Sequence, residues 1–268
     1  MKNTEHKRNI SLLTEERRKQ LLLHLQRDGR VIAADLSQVF GVSDDTIRRD
    51  LDALAEQGQL QRVHGGAIRR PAVNHNYQTR QSESSAAKEG IARLAATLIQ
   101  PGDVAIFDGG TTSLAIAQHL PERLAATVIT TSPHVAVALA NHNNIEVILI
   151  GGRMYRYAMV AVGAETVAAL QRIHADICIV GVLAIHHEVG LSVIDYEESL
   201  TKQAMITAAT RVVAPVTIEK LSTIAPFAVA PLTSITHLVT EAAVTVEMLA
   251  PYQFARLTIM QAEAENEK

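Results

Sequence analysis

Residues 42–54, VSDDTIRRDLDAL, place two adjacent arginines among four aspartates just after a glycine. The apolar residues of this stretch recur at i, i+4 and i+7, the spacing of one buried helix face. They are Ile47, Leu51 and Leu54. At about 100° per residue, Arg49 lies about 200° around the helix from Ile47 and therefore points away from the core. The stretch predicts a helix with a bare basic face, N-capped by Ser43 and ending near Gln57.

This basic face has two interpretations. In the first, Thr46, Arg48 and Arg49 lie in the first two turns, where recognition helices contact base edges and arginine pairs with guanine through two hydrogen bonds. In the second, the arginines only form ion pairs along an exposed helix, each worth roughly 0.2–0.5 kcal/mol. The candidate pairs are Asp44–Arg48, Asp45–Arg49 and Arg48–Asp52. The helix alone does not decide between the two.

The flanking sequence favours DNA binding. Helical patterns over residues 15–27 and 33–40 precede the stretch, and a glycine lies between the second pattern and the stretch, so the order is helix, turn, helix. Strands predicted over 59–63 and 67–70 then flank Gly65–Gly66 and carry basic residues. A basic hairpin after a helix-turn-helix is a wing, which holds phosphates while the helix reads bases. The predicted DNA-binding residues are Ser43, Asp45, Thr46, Arg48, Arg49, Arg62, His64 and Gly65, with His64 also consistent with a mere turn residue.

The run over residues 42–68 resembles the signature of the DeoR family of bacterial repressors. The segments TIRRDL (46–51) and RVHGGA (62–67) both match, at the family's spacing. The resemblance implies an N-terminal winged helix joined to a C-terminal sensor domain. It also implies a protein that acts as a repressor of a sugar or related metabolic operon.

Charge is unevenly divided along the 268 residues, whose net charge is −3. Residues 1–70 carry 13 Lys/Arg and 10 Asp/Glu, whereas residues 71–268 carry 12 and 18. A basic N-terminal part suits a polyanionic partner, here double-stranded operator DNA. The single cysteine, Cys178, excludes an internal disulfide and two-cysteine metal motifs, and we predict no cofactor and no metal site. Since no apolar run reaches ~18 residues and no signal-peptide core is present, we expect a cytoplasmic protein without membrane contact.

The rest of the chain predicts an α/β domain with a mostly parallel sheet, because near-continuous apolar runs alternate with helical patterns. The predicted strands are 104–107, 127–131, 147–150, 177–182, 211–216, 237–240 and 257–260. The predicted helices are 84–99, 113–119, 135–140, 166–173, 197–209 and 246–250. The predicted parts of the chain are an N-terminal tail (1–14), the winged helix (15–70), a linker without helical periodicity (71–83), the sensor domain (84–260) and a charged tail (261–268).

Ligands of open parallel sheets bind at the carboxyl ends of the strands. Several predicted strands end in small residues that offer hydroxyl groups or free backbone N–H groups. The glycine loop 108–112 leads into a helix N-terminus, which is a ready anion site. Arg153 could complete this site as a phosphate clamp. Each loop alone also fits an ordinary turn, with Asp108 as a loop cap, but together they favour a phosphorylated small ligand. The predicted effector-binding residues are Asp108, Gly109, Gly110, Thr111, Thr112, Thr130, Thr131, Ser132, Gly152, Arg153, Glu198, Lys202 and Lys220.

The DeoR-type sensor domain resembles residues 85–260 through FDGGTT, VITTS, LIGGR, ADICIVGV and Glu198 with Lys202. This resemblance implies a fold related to ribose-5-phosphate isomerase and release of the operator by phosphorylated sugars. Two segments depart from the family: TIEK (217–220) replaces a segment like Asp-Ser-Ser-Lys, and GVLA (181–184) replaces Gly-Val-Asp-Gly. Taken alone, Glu198 and Lys202 form an i,i+4 surface pair. His186 and His187, which follow the segment GVLA, are loop residues that either contact an unusual ligand or have no role.

These features predict a homodimer or homotetramer of a repressor that a phosphorylated small metabolite releases from its operator. The alternative from another class is a sugar-phosphate isomerase-like enzyme, with Asp108, Glu198 and Lys202 as candidate proton-transfer groups. A third interpretation is a DNA-binding protein whose sensor fold serves only dimerisation. Because a winged helix has no purpose in an isolated enzyme, we expect a regulator without catalytic residues.

Overall fold

In a computed structural model, the chain is described over residues 14–71, 77–83, 85–254 and 256–263. It divides into two compact units, Met1–Arg70 and Pro71–Lys268. Residues 1–13 of the predicted N-terminal tail and residues 264–268 of the predicted charged tail lie outside the described residues. In the described part of the chain, no helix is long and apolar enough to cross a membrane.

The first unit combines three helices with a small antiparallel sheet. Its elements are α1 (Thr14–Asp28), β1 (Arg30–Ile32), α2 (Ala33–Phe40), α3 (Asp44–Glu56), β2 (Gln61–Val63) and β3 (Gly66–Ile68), and its strands lie in the order β1-β3-β2. The helices and the hairpin confirm the predicted helix-turn-helix and wing. The sequence pattern does not reveal β1, because three residues are too few to show an alternation of apolar and polar side chains.

Local signals explain why α3 forms where the sequence predicts it. The Ser43 hydroxyl oxygen accepts a hydrogen bond from the Thr46 amide at 3.2 Å and so caps the helix. Gly41 has a φ of 65° and makes the left-handed turn that ends α2. Ile47 and Leu51 are fully buried in the core of the unit, as their spacing predicts.

The second unit is built on a seven-stranded parallel sheet, which confirms the predicted α/β class. In order of adjacency, its strands are β15 (Thr258–Gln261), β14 (His237–Thr240), β12 (Ala209–Val216), β9 (Ala175–Ile179), β4 (Val104–Phe107), β5 (Ala126–Thr130) and β6 (Ile145–Leu149). All seven predicted strands are present, with ends displaced by up to three residues. Alternate side chains point to the two faces of the sheet: Ile106 and Cys178 belong to one apolar core, Phe107 and Ile177 to the other.

Helices cover both faces of this sheet. They are α4 (Tyr77–Ser82), α5 (Ser85–Ala96), α6 (Thr111–Gln118), α7 (Pro133–Leu139), α8 (Ala164–Leu170), α9 (Tyr196–Thr207) and α10 (Val246–Leu249). Helix α4 corrects the sequence analysis, since it lies inside the segment 71–83 that was expected to have no helix. Six residues are too few to show a helical period, and the contacts that hold α4 come from distant parts of the chain.

Short strands follow the carboxyl ends of two sheet strands. After β6, β7 (Arg153–Tyr155) pairs with β8 (Val160–Val162). After β9, β10 (Ala184–His186) and β11 (Gly190–Val193) pair with each other, and β13 (Phe227–Ala230) joins β11. These strands of three or four residues are absent from the sequence-based prediction, and they build up the sheet edge at which the ligand site was expected.

Candidate nucleic-acid interface and ligand-binding site

The outer face of α3 carries the two predicted arginines. The Arg49 side chain is 80% exposed and the Arg48 side chain 57% exposed. Each pairs with the aspartate four residues earlier, at 2.7 Å for Arg49–Asp45 and 3.0 Å for Arg48–Asp44. Exposed pairs of this kind are worth less than about 1 kcal/mol, so both guanidinium groups remain available to a partner. The face has the geometry that the DNA-binding interpretation requires, and the ion pairs do not oppose it.

The wing is fastened to α3 by Arg62. Arg62 Nε donates to Asp52 Oδ1 at 2.7 Å, and Arg62 Nη1 donates to the Gly66 carbonyl. Asp52 therefore pairs with the wing and not with Arg48, which corrects the predicted Arg48–Asp52 pair. Gly65 has a φ of 76°, and a Cβ at Gly66 would lie 1.9 Å from a backbone oxygen of β1, so the tight turn requires glycine at both positions.

His64 is exposed at the tip of this turn. The structure therefore places His64 where a phosphate could approach, while Arg62 positions the wing.

Asp50 is a structural residue that the sequence analysis missed. Its side chain is buried and accepts hydrogen bonds from Arg17 Nε at 2.6 Å and Arg18 Nε at 3.0 Å. These contacts tie α3 to α1 and fix the direction in which α3 presents its outer face. The helical periodicity could have indicated that Asp50 is buried, because it lies three residues after Ile47, on the buried side of the helix.

A cavity of about 420 Å³ lies at the carboxyl edge of the parallel sheet. The chain runs from β4 to β5 and β6 on one side and then crosses to β9 on the other, so β4 and β9 flank the point where the strand order reverses. Open α/β sheets bind ligands at this point. The cavity is lined by Pro71, Arg80, Glu83, Lys88, Gly109, Gly110, Thr111, Thr112, Ser113, Tyr157, Ala158, Gly181, Val182, Leu183, Glu198, Lys202, Glu219 and Lys220.

Only some of the predicted effector-binding residues meet at this cavity. Seven line it: Gly109, Gly110, Thr111, Thr112, Glu198, Lys202 and Lys220. Six predicted residues are not in the lining: Asp108, directly after β4, and Thr130, Thr131, Ser132, Gly152 and Arg153. The last five lie at the ends of β5 and β6 or after them, away from the reversal point. Arg153 is exposed and its Nε donates to Glu197 Oε2 at 2.9 Å, so this geometry does not support a phosphate clamp by Arg153.

Asp108 caps the loop that ends β4. Asp108 Oδ1 accepts a hydrogen bond from the Gly109 amide at 2.7 Å, and Oδ2 accepts one from the Gly181 amide at 2.8 Å. Lys202 Nζ also donates to Oδ2. The carboxylate therefore joins the ends of β4 and β9, and of its two predicted roles the structure shows the loop cap.

Glu198, Lys202 and Asp108 form a buried ion triad. Lys202 Nζ lies 3.4 Å from Glu198 Oε1, and both side chains are 5% exposed. The expectation of a surface pair is therefore wrong, because the first turns of α9 are buried against the strand ends. Burial lowers the pKa of Lys202, but Asp108 and Glu198 outweigh it and the net pKa is raised. Burial raises the pKa of Glu198 to about 7, with Lys202 opposing and Asp108 adding to the rise.

Replacing Glu198 by Gln should remove a pH dependence of sensor-unit stability. A carboxyl whose pKa is higher in the folded state stabilises the fold in its protonated form, so this contribution is complete below about pH 4.5 and is lost as pH rises through about 7. We expect Glu198→Gln to flatten the decline in unfolding free energy between about pH 4.5 and pH 7. At pH 8 the variant should gain about 1–2 kcal/mol of unfolding free energy. Urea denaturation at several pH values measures this, and a Gln variant with the wild-type slope would contradict it.

A cluster of basic residues also lines the cavity. It contains Lys220, which was predicted, and Arg80 and Lys88, which were missed because the sequence around Arg80 was interpreted as a linker. Burial, opposed by Glu219 and reinforced by the nearby Lys88 and Arg80, lowers the pKa of Lys220 to about 8. Burial also lowers the pKa of Lys88. Cations that converge on one cavity favour the entry of an anion.

The loop before α6 lines the same cavity and offers hydrogen-bond donors. Gly110 precedes α6, whose first-turn amides have no acceptor within the helix. The Ser113 hydroxyl is buried, and among the described residues it has no hydrogen-bond partner. Amides at a helix N-terminus together with buried cations make an anion site.

Two family models match the chain along most of its length. Residues 17–71 match the DeoR-like helix-turn-helix domain, and residues 83–242 match the DeoR C terminal sensor domain. The chain belongs to the DeoR family of transcriptional regulators. The match confirms the resemblance seen in TIRRDL and RVHGGA. This DeoR-family chain is a ligand-responsive, DNA-binding transcriptional repressor.

Individual relatives agree with this assignment. The HTH-type transcriptional repressor GlcR of Bacillus subtilis is 35% identical over 85% of this chain and 88% of its own length. The glycerol-3-phosphate regulon repressor of Escherichia coli is 33% identical over 68% of this chain and 73% of its own length. Among solved structures, ribose 5-phosphate isomerase A of Methanocaldococcus jannaschii has 18% identity and a TM-score of 0.38, with 52% of this chain and 55% of that chain covered. A likeness this distant says nothing about activity.

The two segments that depart from the usual DeoR sequence both reach the cavity. Residues Ile218–Lys220 form a short 3-10 helix that brings Glu219 and Lys220 to the cavity wall. Leu183 lines the cavity where the family usually has an aspartate. The first segment thus keeps a lysine at the cavity, while the second gives the wall an apolar side chain.

The adjacent histidines have a packing role in this DeoR-family protein. His186 lies in β10 and not in a loop, and it is fully buried. Its ring stacks on that of His187 at 4.3 Å between centroids, and His187 meets the edge of Tyr252 at 6.1 Å. The potential ligand atoms of His186, His187 and Glu188 lie within 4.8 Å of one another. Neither histidine lines the cavity, so contact with its ligand is not supported.

Proposed function

We propose that this DeoR-family repressor binds operator DNA through the exposed face of α3 and is released by a phosphorylated small metabolite that binds in the cavity at the sheet edge. The observation that carries the proposal is that three cations, Arg80, Lys88 and Lys220, line the same cavity as the N-terminal residues of α6. A phosphate monoester pairs with these cations, whose mutual repulsion Glu83 and Glu219 of the same lining offset only in part.

The DNA-binding half of the proposal is supported by the presentation of α3. Arg48 and Arg49 lie on an exposed face, directed by the buried contacts of Asp50, and the wing beside them carries His64. Arginine in the first turns of a recognition helix pairs with guanine, and a wing contacts phosphates. One chain carries one such helix, so we propose a homodimer or homotetramer that places two helices on repeated half-sites.

The effector half is supported by the chemistry of the cavity. Its volume of about 420 Å³ suits a small metabolite. The basic cluster fits a phosphate, while Glu198 Oε2, which has no hydrogen-bond partner among the described residues, can accept a hydrogen bond from a hydroxyl of the ligand. The name of the glycerol-3-phosphate regulon repressor, a relative at 33% identity, connects that protein to a phosphorylated polyol.

An enzymatic role is less well supported than a sensor role. Asp108 and Lys202 are candidate proton-transfer groups, but each is engaged by the other and by backbone groups of the loops after β4 and β9. The chain's curated relatives are transcriptional regulators. A sensor fold that serves only dimerisation would not need cations that converge on a cavity.

Phosphorylated sugars and polyols should raise the melting temperature of the protein, whereas their unphosphorylated forms should not. A ligand at 100 times its Kd stabilises the folded state by about 2.7 kcal/mol, which corresponds to about 5 °C or more for a unit of this size. A thermal-shift panel measures this, and a gel shift then tests whether each stabilising compound releases DNA.

The same panel applied to variants separates the cavity from other surfaces. Lys220→Gln should lose most of the shift, while Arg172→Gln, an exposed change in the sensor unit, should retain it. A panel in which no phosphate ester raises the melting temperature would refute the proposed effector class.

A further inference from the structure

Helix α4 is the first described helix after the DNA-binding unit, and a cavity lysine holds its C-terminal end. Lys88 Nζ, on α5, donates to the backbone carbonyl of Arg80 and, at 2.6 Å, to that of Glu83. The last carbonyl groups of a helix accept no hydrogen bond from amides of the same helix. Lys88 supplies donors to them and so caps α4 from outside. A six-residue helix is not stable in water by itself, and α4 therefore depends on such contacts.

Arg80 provides the second attachment of α4. Its guanidinium carbon lies 3.9 Å from the centroid of the Tyr157 ring, and its Nη2 donates to the Tyr157 carbonyl. Arg80 Nε is buried without a hydrogen-bond partner in the described part of the chain. A third contact is the stack of Tyr77 on His134 of α7, with ring centroids 4.7 Å apart. Two of the three attachments thus use side chains that line the cavity.

The cations that hold α4 also repel one another. Arg80 lowers the pKa of Lys88, and both lower the pKa of Lys220, while Glu83 and Glu219 offset part of the effect. Without an anion, α4 is therefore docked against like-charge repulsion. An anion in the cavity removes this repulsion. It can accept hydrogen bonds from the Arg80 Nε–H and from the third N–H of Lys88, so the contacts to α4 need not break.

We propose that the effector's phosphate locks α4 onto the sensor unit through Arg80 and Lys88. The inference rests on the proposed function, since it assumes a phosphorylated effector in the cavity. A ligand that contacts Arg80 binds the docked state of α4 better than the undocked state and must shift the population towards docking.

Hydrogen exchange of the full-length protein tests the proposal. Inorganic phosphate is the minimal probe, compared with sodium chloride at equal ionic strength, and each phosphate ester that raises the melting temperature is a second probe. We expect exchange in the peptide covering residues 77–83 to become about tenfold slower when a probe binds, with no change in the peptide covering α3. Binding measured by calorimetry without slower exchange in residues 77–83 would overturn the locking of α4 but leave the proposed effector intact. Absence of binding by every phosphate probe would instead refute the proposed effector itself.

Three further proteins assign the effect to named groups. Arg80→Gln keeps the size of the side chain and should bind phosphate more weakly, without protection of residues 77–83. Tyr77→Ala leaves all cavity cations in place, so phosphate should still protect α4, from a faster starting rate. Arg93→Gln, on α5 and outside the cavity, should behave as wild type. Protection of residues 77–83 in Arg80→Gln equal to wild type would exclude Arg80 as the lock.

Discussion

Replacing Arg49 by Ala should lower the affinity for operator DNA by about 100-fold or more without changing the fold. A bidentate contact between arginine and guanine is worth about 1–3 kcal/mol, and an oligomer on two half-sites loses two such contacts. Stability should be unaffected, because the Arg49 side chain is 80% exposed and its pair with Asp45 lies on the surface. Loss of affinity with an unchanged melting temperature is therefore the signature of a base-reading residue.

The operator sequence needed for this measurement comes from selection with the wild-type protein on a random DNA library, followed by gel-shift titration of each variant. Arg27→Ala is the matched control, since Arg27 is also an exposed arginine of the same unit, with its partner Asp28 beside it on α1. Arg49→Ala with wild-type affinity for the selected sequence would remove α3 as the reading element. Equal losses on selected and random DNA would reassign Arg49 to phosphate binding.

Sequence reasoning succeeded where local signals decide the structure. The apolar stripe of α3, its Ser43 cap and the Gly65–Gly66 turn each depend on neighbours within a few residues, and each is present as predicted. The seven sheet strands were found for the same reason, since a buried parallel strand is a continuous apolar run.

Strand order is what the sequence could not supply. The rule that ligands bind at the carboxyl ends of strands treated all the ends as equal, yet only the ends of β4 and β9 flank the reversal point. Arg153, after the edge strand β6, was consequently placed with the ligand although it pairs with Glu197 on the surface. The i,i+4 spacing of Glu198 and Lys202 likewise carries no information on burial, which depends on where α9 docks.

Replacing Lys202 by Met should lower the unfolding free energy of the sensor unit by about 3–5 kcal/mol. The change removes the only cation of the triad and leaves Asp108, 2% exposed, as a buried charge with two amide donors. Removing one partner of a buried ion pair costs this much because the other charge remains desolvated. Lys202 thus holds the ends of β4 and β9 together as well as lining the cavity.

Tyrosine fluorescence during urea denaturation measures this change in the sensor unit alone. The chain has no tryptophan, and its five tyrosines all lie within residues 71–268. Arg153→Met is the matched control, because it breaks an exposed pair and should cost less than about 1 kcal/mol. Adding Asp108→Asn to Lys202→Met should recover part of the loss, since the uncompensated charge is then absent. A Lys202→Met protein as stable as Arg153→Met would show that the triad is solvated, and Lys202 would then be free to act on the ligand alone.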